Sequence, residues 1–192
     1  MKDVVVLIPG IGGSSLSVRG KPIWDFSAGA FLRGVLSLGS SIDRLKLVDD
    51  SPDADDLGDG VVATRLLPDL HIVPGLEWRI DGYGKIAERL IRDFGCVPGE
   101  NYFELPYDWR RDNRVAARKL ARAAHDWLHR WRDKSGNSDA KLILIAHSMG
   151  GIIARLYLET LDGWQQTRSL ITFGTPYSGS VNALGFLANG FR

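Results

Sequence analysis

The chain has 192 residues, 44% of them apolar and 24% charged, which fits one globular unit with a buried core and excludes a disordered or fibrous chain. Its formal net charge of +1 and pI near 7.9 leave no electrostatic footprint for a polyanion, so no nucleic-acid partner is expected.

Met1-Lys2-Asp3 leads straight into VVVLI at 4–8, a β-branched run ended by Pro9-Gly10. Such a run predicts a strand buried on both faces of a parallel sheet. It is too short for a signal peptide or a membrane span, so a cytoplasmic protein is expected. GIGGSS at 10–15 approaches the dinucleotide-binding fingerprint, but Ser15 stands where the last glycine belongs and no second strand ending in an acidic residue follows about 20 positions on. The Gly-Lys-Ser/Thr ending of a phosphate loop is missing too, and neither a cofactor nor a metal is expected.

Residues 20–80 match neither a core strand nor a well-capped helix. WDFSAGAFLRGVLSLGS at 24–40 is apolar and glycine-rich, whereas DDSPDADDLGDG at 49–60 is acidic. The whole stretch is expected to be an insertion packed over the functional edge of the sheet. The acidic part has no calcium-loop spacing and reads as solvated.

Helical spacing returns with Ile86, Ala87, Leu90, Ile91 and Phe94, stopped by Gly95. Cys96 is the single cysteine and cannot close an intrachain disulfide, which fits a reducing compartment. NYFEL at 101–105 is a shorter strand candidate. A long helix is predicted over 112–133, with Ala116, Leu120, Ala123, Trp127 and Trp131 on one face and Arg118, Arg122, His125, His129 and Arg132 on the other. The basic cluster at 110–122 reads as a solvated face. KSGNSD at 134–139 returns the chain to LILIA at 142–146, a second buried strand, and SLITF at 169–173 is a third.

Strands alternating with helices predict a parallel α/β sheet with helices on both faces, and right-handed crossovers bring the strand C-termini to one edge. Pro9-Gly10, Ala146-His147-Ser148 and Gly174-Thr175-Pro176 therefore converge. At the middle one, AHSMG approximates the G-x-S-x-G elbow, with Ala146 in the first glycine's position and Gly150 in the last. The strand before it and the apolar helix after it are the context that a nucleophilic serine requires. The competing role for Ser148 is a helix cap. An oxyanion site would combine the Met149 amide with one from the loop after the first strand, Ile11 first and Gly12 next.

A base is harder to find. The histidines are His71, His125, His129 and His147, none beyond the serine, and the carboxylates beyond it are Glu159 and Asp162. His147 adjoins Ser148, but adjacent side chains at a sharp turn diverge, which suits a structural or pocket-lining role. His125 and His129 lie on the basic helical face, and His71 falls inside the insertion.

The pieces VVVLIPGIGGSSL at 4–16, LPYDWRRD at 105–112, LIAHSMGGIIARLYL at 144–158 and FGTPYSGS at 173–180 together resemble the lecithin:cholesterol acyltransferase-like branch of the α/β-hydrolases. The resemblance implies an α/β-hydrolase fold, Ser148 as nucleophile, Ile11 and Met149 as oxyanion amides, and a substrate with a lipid-type ester bond. It also implies that the segment after the first strand contacts membrane, here through Trp24, Phe26, Phe31, Leu32, Val35 and Leu36. A lid or core-covering segment is the other reading of those residues.

Members of that family continue past FGTPYSGS through two more core strands that deliver the catalytic Asp and His. The chain is thus expected to be the N-terminal portion of a hydrolase domain, truncated after the strand that follows the nucleophile helix. A second chain supplying the missing half is a further possibility. Two functions stay open: a serine lipase, esterase or acyltransferase working through an acyl-Ser148 intermediate, or a non-catalytic module that binds lipid or protein.

Overall fold

A computed structural model describes residues 1–25, 45–47, 49–68, 70–71, 79–80, 82–181 and 185, with backbone only at 70–71 and 79–80. Phe26, Phe31, Leu32, Val35, Leu36 and the His71 side chain lie outside the described residues.

The β-branched run forms β1 (Val4–Ile8), every residue of which is buried. It pairs in parallel with β7 (Tyr102–Glu104) on one side and β8 (Leu142–His147) on the other, and β8 pairs in parallel with β9 (Thr167–Phe173). The resulting four-stranded sheet has the order β7-β1-β8-β9.

Strand alternation divides the core between the two faces. Val4, Val6, Ile8, Leu142, Leu144 and Ala146 pack against α2 (Asn113–Ser135) and α3 (Met149–Thr160). Val5, Leu7 and Ile145 meet Leu90, Ile86 and Ala87 of α1 (Gly84–Phe94) on the opposite face. Helices thus cover both faces, because β1 throughout and β8 up to Ala146 are apolar and must be shielded twice. The helix stops are also local: Gly95 and Gly136 adopt left-handed conformations and cap α1 and α2. On α2 the buried stripe runs through Ala116, Ala117, Leu120, Ala124 and Leu128, so the Ala123-Trp127-Trp131 line lies at its margin rather than its centre.

Residues 14–66 hold more regular structure than the glycine-rich and acidic stretches suggest. β2 (Ser14–Val18) pairs antiparallel with β3 (Lys21–Trp24) and with β4 (Val61–Leu66), making a three-stranded sheet. The sequence reading placed no strand at 21–24 or 61–66, and the structure adds both. Both strands are half-exposed, and their mixed composition lacks the continuous apolar run that marks a buried strand. β5 (Leu70–His71) and β6 (Arg79–Ile80) form a separate two-stranded ribbon.

The acidic loop is not simply solvated, and neither is the basic face of α2. Arg111, with its side chain 6% exposed, donates to Asp50 and to the carbonyls of Ser51, Ala54 and Asp55. Arg110 bridges Asp59 and Asp108, and Arg118 and Arg122 both reach Asp55. Charge complementarity within the chain consumes the cluster that composition assigned to solvent. Among the described residues, no helix is long and apolar enough to cross a membrane.

Candidate active site

The topology selects the location before any side chain does. β1 and β8 are neighbours, yet the chain leaving β1 returns through β7 on one side and the chain leaving β8 returns through β9 on the other. At such a switch point the loops part and a crevice opens beyond the strand C-termini. The loop after β1 and the turn after β8 both lie there.

Ser148 occupies that turn with φ 48° and ψ −122°, one of three non-glycine residues at positive φ among those described. This conformation is costly for any residue with a Cβ. Although Ser148 stands at the N-cap of α3, its side chain makes no capping hydrogen bond, so the capping role weighed from sequence is not realised. The backbone is held from outside: Ser148 N–H donates to Phe173 O at 3.0 Å.

Close packing dictates the surrounding glycines. A Cβ at Gly150 would lie 2.5 Å from Pro9 O and 2.7 Å from Ile8 O, and one at Gly10 would lie 2.9 Å from the Ser148 Cβ. At Gly151 the Thr175 hydroxyl already fills the space a Cβ would need. Of the three segments that sequence predicted to converge, the one carrying Ser148 thus lies against both of the others. Ala146 is fully buried, and the elbow tolerates its methyl group in place of the family's first glycine.

The loop after β1 closes as a turn in which Gly13 N–H donates to Gly10 O at 3.0 Å and Gly12 takes φ 72°, the left-handed third position of a type II turn. Its carbonyls are anchored: Tyr107 Oη donates to Pro9 O at 2.8 Å and Trp24 Nε1 to Gly12 O at 2.8 Å. Ile11 at the tip is 65% exposed. The amides of Ile11 and Met149 have no acceptor among the described residues, and the latter opens a helix whose first N–H groups lack internal partners.

Trp24 is occupied. Besides the bond to Gly12, its ring meets Trp109 edge-on at 5.0 Å, and it is half-buried. Its polar tip is thus held by the site's own loop. Sequence gave no signal for that pairing, nor for Tyr83. The Tyr83 hydroxyl accepts from Gly10 N–H at 2.7 Å and lies 2.9 Å from His147 Nδ1.

His147 stacks on Phe173 with ring centroids 5.0 Å apart, and burial lowers its pKa, keeping the ring neutral near pH 7. His125 and His129 are exposed on α2, the latter 3.0 Å from Asp133. Glu159 pairs with Arg155 at 2.6 Å, and Asp162 precedes the short 3-10 helix Gly163–Gln166. None of these groups converges on Ser148. Among the described residues, no cluster of His, Cys, Asp and Glu could hold a metal ion.

Comparison with known proteins places this geometry in a lineage. An uncharacterised protein of Saccharomyces cerevisiae, YJR098C, is 28% identical over 186 residues, which cover 94% of this chain and 24% of that one. The phosphatidylcholine-sterol acyltransferase of Gallus gallus is 24% identical over 151 residues, or 68% of this chain and 35% of that protein. Among solved structures, a chain of the Tle4-Tli4 complex superposes with a TM-score of 0.61 at 18% identity, covering 99% of this chain and 48% of its own length. The fold is of α/β-hydrolase type, and the chain spans only about a quarter to a half of these relatives. A model of the lecithin:cholesterol acyltransferase family matches residues 60–192, and the chain belongs to that family.

Proposed function

We propose that Ser148 is the nucleophile of a site that cleaves ester bonds of lipid-type substrates and passes the acyl group to water or to an alcohol. The observation that carries the reading is the positive φ of Ser148 at a strand-to-helix turn, without the capping bond that would give the serine a structural purpose. Strain of this kind persists where a reacting group must be presented. Family membership supports lipid-ester chemistry as the class of reaction.

In this reading the Ser148 hydroxyl oxygen attacks the ester carbonyl as its proton passes to a general base. The Ile11 and Met149 amides receive the negative charge that develops on the carbonyl oxygen. Collapse of the tetrahedral intermediate breaks the ester C–O bond, the alcohol leaves with the base's proton, and acyl-Ser148 remains. Attack by water or a second alcohol then releases the acyl group and restores the serine.

His147 is not our choice of base, since its Nδ1 is committed to Tyr83 and its ring to Phe173. The acid and base are assigned to sequence beyond the 192 residues, either further along one polypeptide or in a second chain. A fluorophosphonate probe tests the reading on the natural full-length protein. Labelling mapped to Ser148 by peptide mass spectrometry, and lost in Ser148→Ala, is the expected outcome. No labelling, alongside a serine hydrolase that labels in parallel, would favour a non-catalytic lipid- or protein-binding module.

A further inference from the structure

Between the two loops that carry Ser148 and Ile11 stands a hydroxyl that the acyl-transfer reading leaves unused. Tyr83 directly precedes α1 and is fixed through its backbone: its N–H donates to Leu67 O at 3.0 Å and its carbonyl accepts from Ala87 N–H at 3.1 Å. The ring packs against the apolar cluster on the α1 face of the sheet, to which Leu7 and Leu90 belong. A Cβ at Gly13 would lie 2.8 Å from the Tyr83 hydroxyl, so glycine at 13 is what admits the phenol to the loop.

The direction of the first of its two hydrogen bonds follows from its donor. Gly10 N–H can only donate, so the hydroxyl accepts there at 2.7 Å. Its other partner is His147 Nδ1, 2.9 Å away, which accepts the hydroxyl proton when the ring is protonated on Nε2. Burial raises the phenol's pKa and lowers the imidazole's, so both groups stay neutral and the bridge persists at neutral pH.

The two bonded residues are the immediate chain neighbours of the groups that would act. Gly10 precedes Ile11 and His147 precedes Ser148. The bridge also selects among amides: that of Gly10 is consumed by Tyr83 and that of Gly13 by Gly10 O, which leaves Ile11 and Gly12 for a ligand. The geometry points to Tyr83 as a positioning residue, whose hydroxyl ties the loop after β1 to the strand-to-helix turn and so sets the separation of the Ile11 amide from the Ser148 hydroxyl. This role rests on the reading of Ser148 as nucleophile.

Tyr83→Phe in the natural full-length protein removes one oxygen atom and keeps the ring. Misplacement of a donor by about 1 Å costs on the order of 100-fold, so fluorophosphonate labelling of Ser148 and kcat for p-nitrophenyl butyrate are expected to fall by about 10- to 100-fold. KM should stay within about twofold, because the ground-state ester does not need the oxyanion donor. A readout independent of activity is the His147 ring in long-range proton–nitrogen spectra. The wild-type protein should show a single tautomer protonated at Nε2, and Tyr83→Phe should show a mixture.

A labelled wild type with a Tyr83→Phe labelling rate within about twofold of it would overturn the positioning role alone. A wild-type His147 ring already in a mixture of tautomers would do the same without recourse to any variant. Absence of labelling in the wild type would overturn the nucleophile reading and the positioning role together.

Discussion

At the scale of single residues, Ser148 and His147 carry opposite kinds of cost. The positive φ of Ser148 holds about 1–3 kcal/mol of backbone strain, which glycine would relieve while losing about 0.5–1 kcal/mol of its own to chain entropy. Ser148→Gly is therefore expected to stabilise the protein by about 1 kcal/mol, a rise of about 2–4 °C in melting temperature for a domain of this size. Ser148→Ala, whose Cβ suffers the same strain, should melt like the wild type in the same thermal scan. His147 instead refuses a proton, because burial disfavours its charged form. Above pH 6.5, the ordinary histidine value, folded and unfolded states are both neutral and the residue adds no pH dependence. As pH falls through that value the unfolded chain takes up a proton that the folded one does not, and stability declines until the folded pKa is passed. Urea midpoints measured from pH 7.5 to 5 should fall for the wild type and flatten in His147→Gln. Asp112, held at about 2 chiefly by its hydrogen bond with the Arg114 side chain, gives a separate loss at more acid pH, as the pH drops below 3.8.

At the scale of elements, the acidic loop and the start of α2 behave as one unit. Arg111 is the centre of it, buried and bonded to one carboxylate and three carbonyls of residues 50–55. Truncation leaves the Ala54 and Asp55 carbonyls and the Asp50 Oδ1 without the guanidinium, and breaking a buried charged contact of this kind costs about 3 kcal/mol. The exposed pairs of Arg118 and Arg122 with Asp55 contribute less than about 1 kcal/mol each. Arg111→Ala should lower the urea midpoint strongly and open residues 49–60 to limited proteolysis, while Arg122→Ala should do neither. Equal cleavage of the two variants would refute the division of labour. The same loop leads through Asp59 into β4, and β4 pairs with β2, whose first residue bonds Tyr107 and Trp109. The YDWRR stretch at 107–111 thereby holds both the acidic loop and the loop that carries Ile11.

At the scale of the whole molecule, the four-stranded sheet is well shielded in its centre and poorly shielded at β9. Ile171 is 53% exposed and Phe173 39%, on a strand that among the described residues pairs on one side only. An apolar edge of this type templates association. Concentration-dependent light scattering by the 192-residue polypeptide should fall in Ile171→Lys, which sets a charge on the exposed face without touching the pairing to β8. Unchanged scattering would locate self-association elsewhere.

What sequence alone determined here is local in origin. Continuous β-branched runs at 4–8 and 142–146 predict doubly buried strands because burial on both faces removes polar positions from a strand. Gly95 marks a helix end because only glycine takes the left-handed cap without strain. The serine turn was legible for the same reason, since a close approach of strand and helix shows itself as small residues a fixed few positions apart. Tertiary structure decided the rest. The bonds of Tyr83 span 73 positions to Gly10 and 64 to His147, and Arg111 reaches Asp50 across 61. Periodicity reports only neighbours within a few residues, so partners at such separations are set by the packing that brings their elements together. The strands at 21–24 and 61–66 were hidden for a related reason: half-exposed strands need no continuous apolar run, and it is their pairing with β2 that makes them strands.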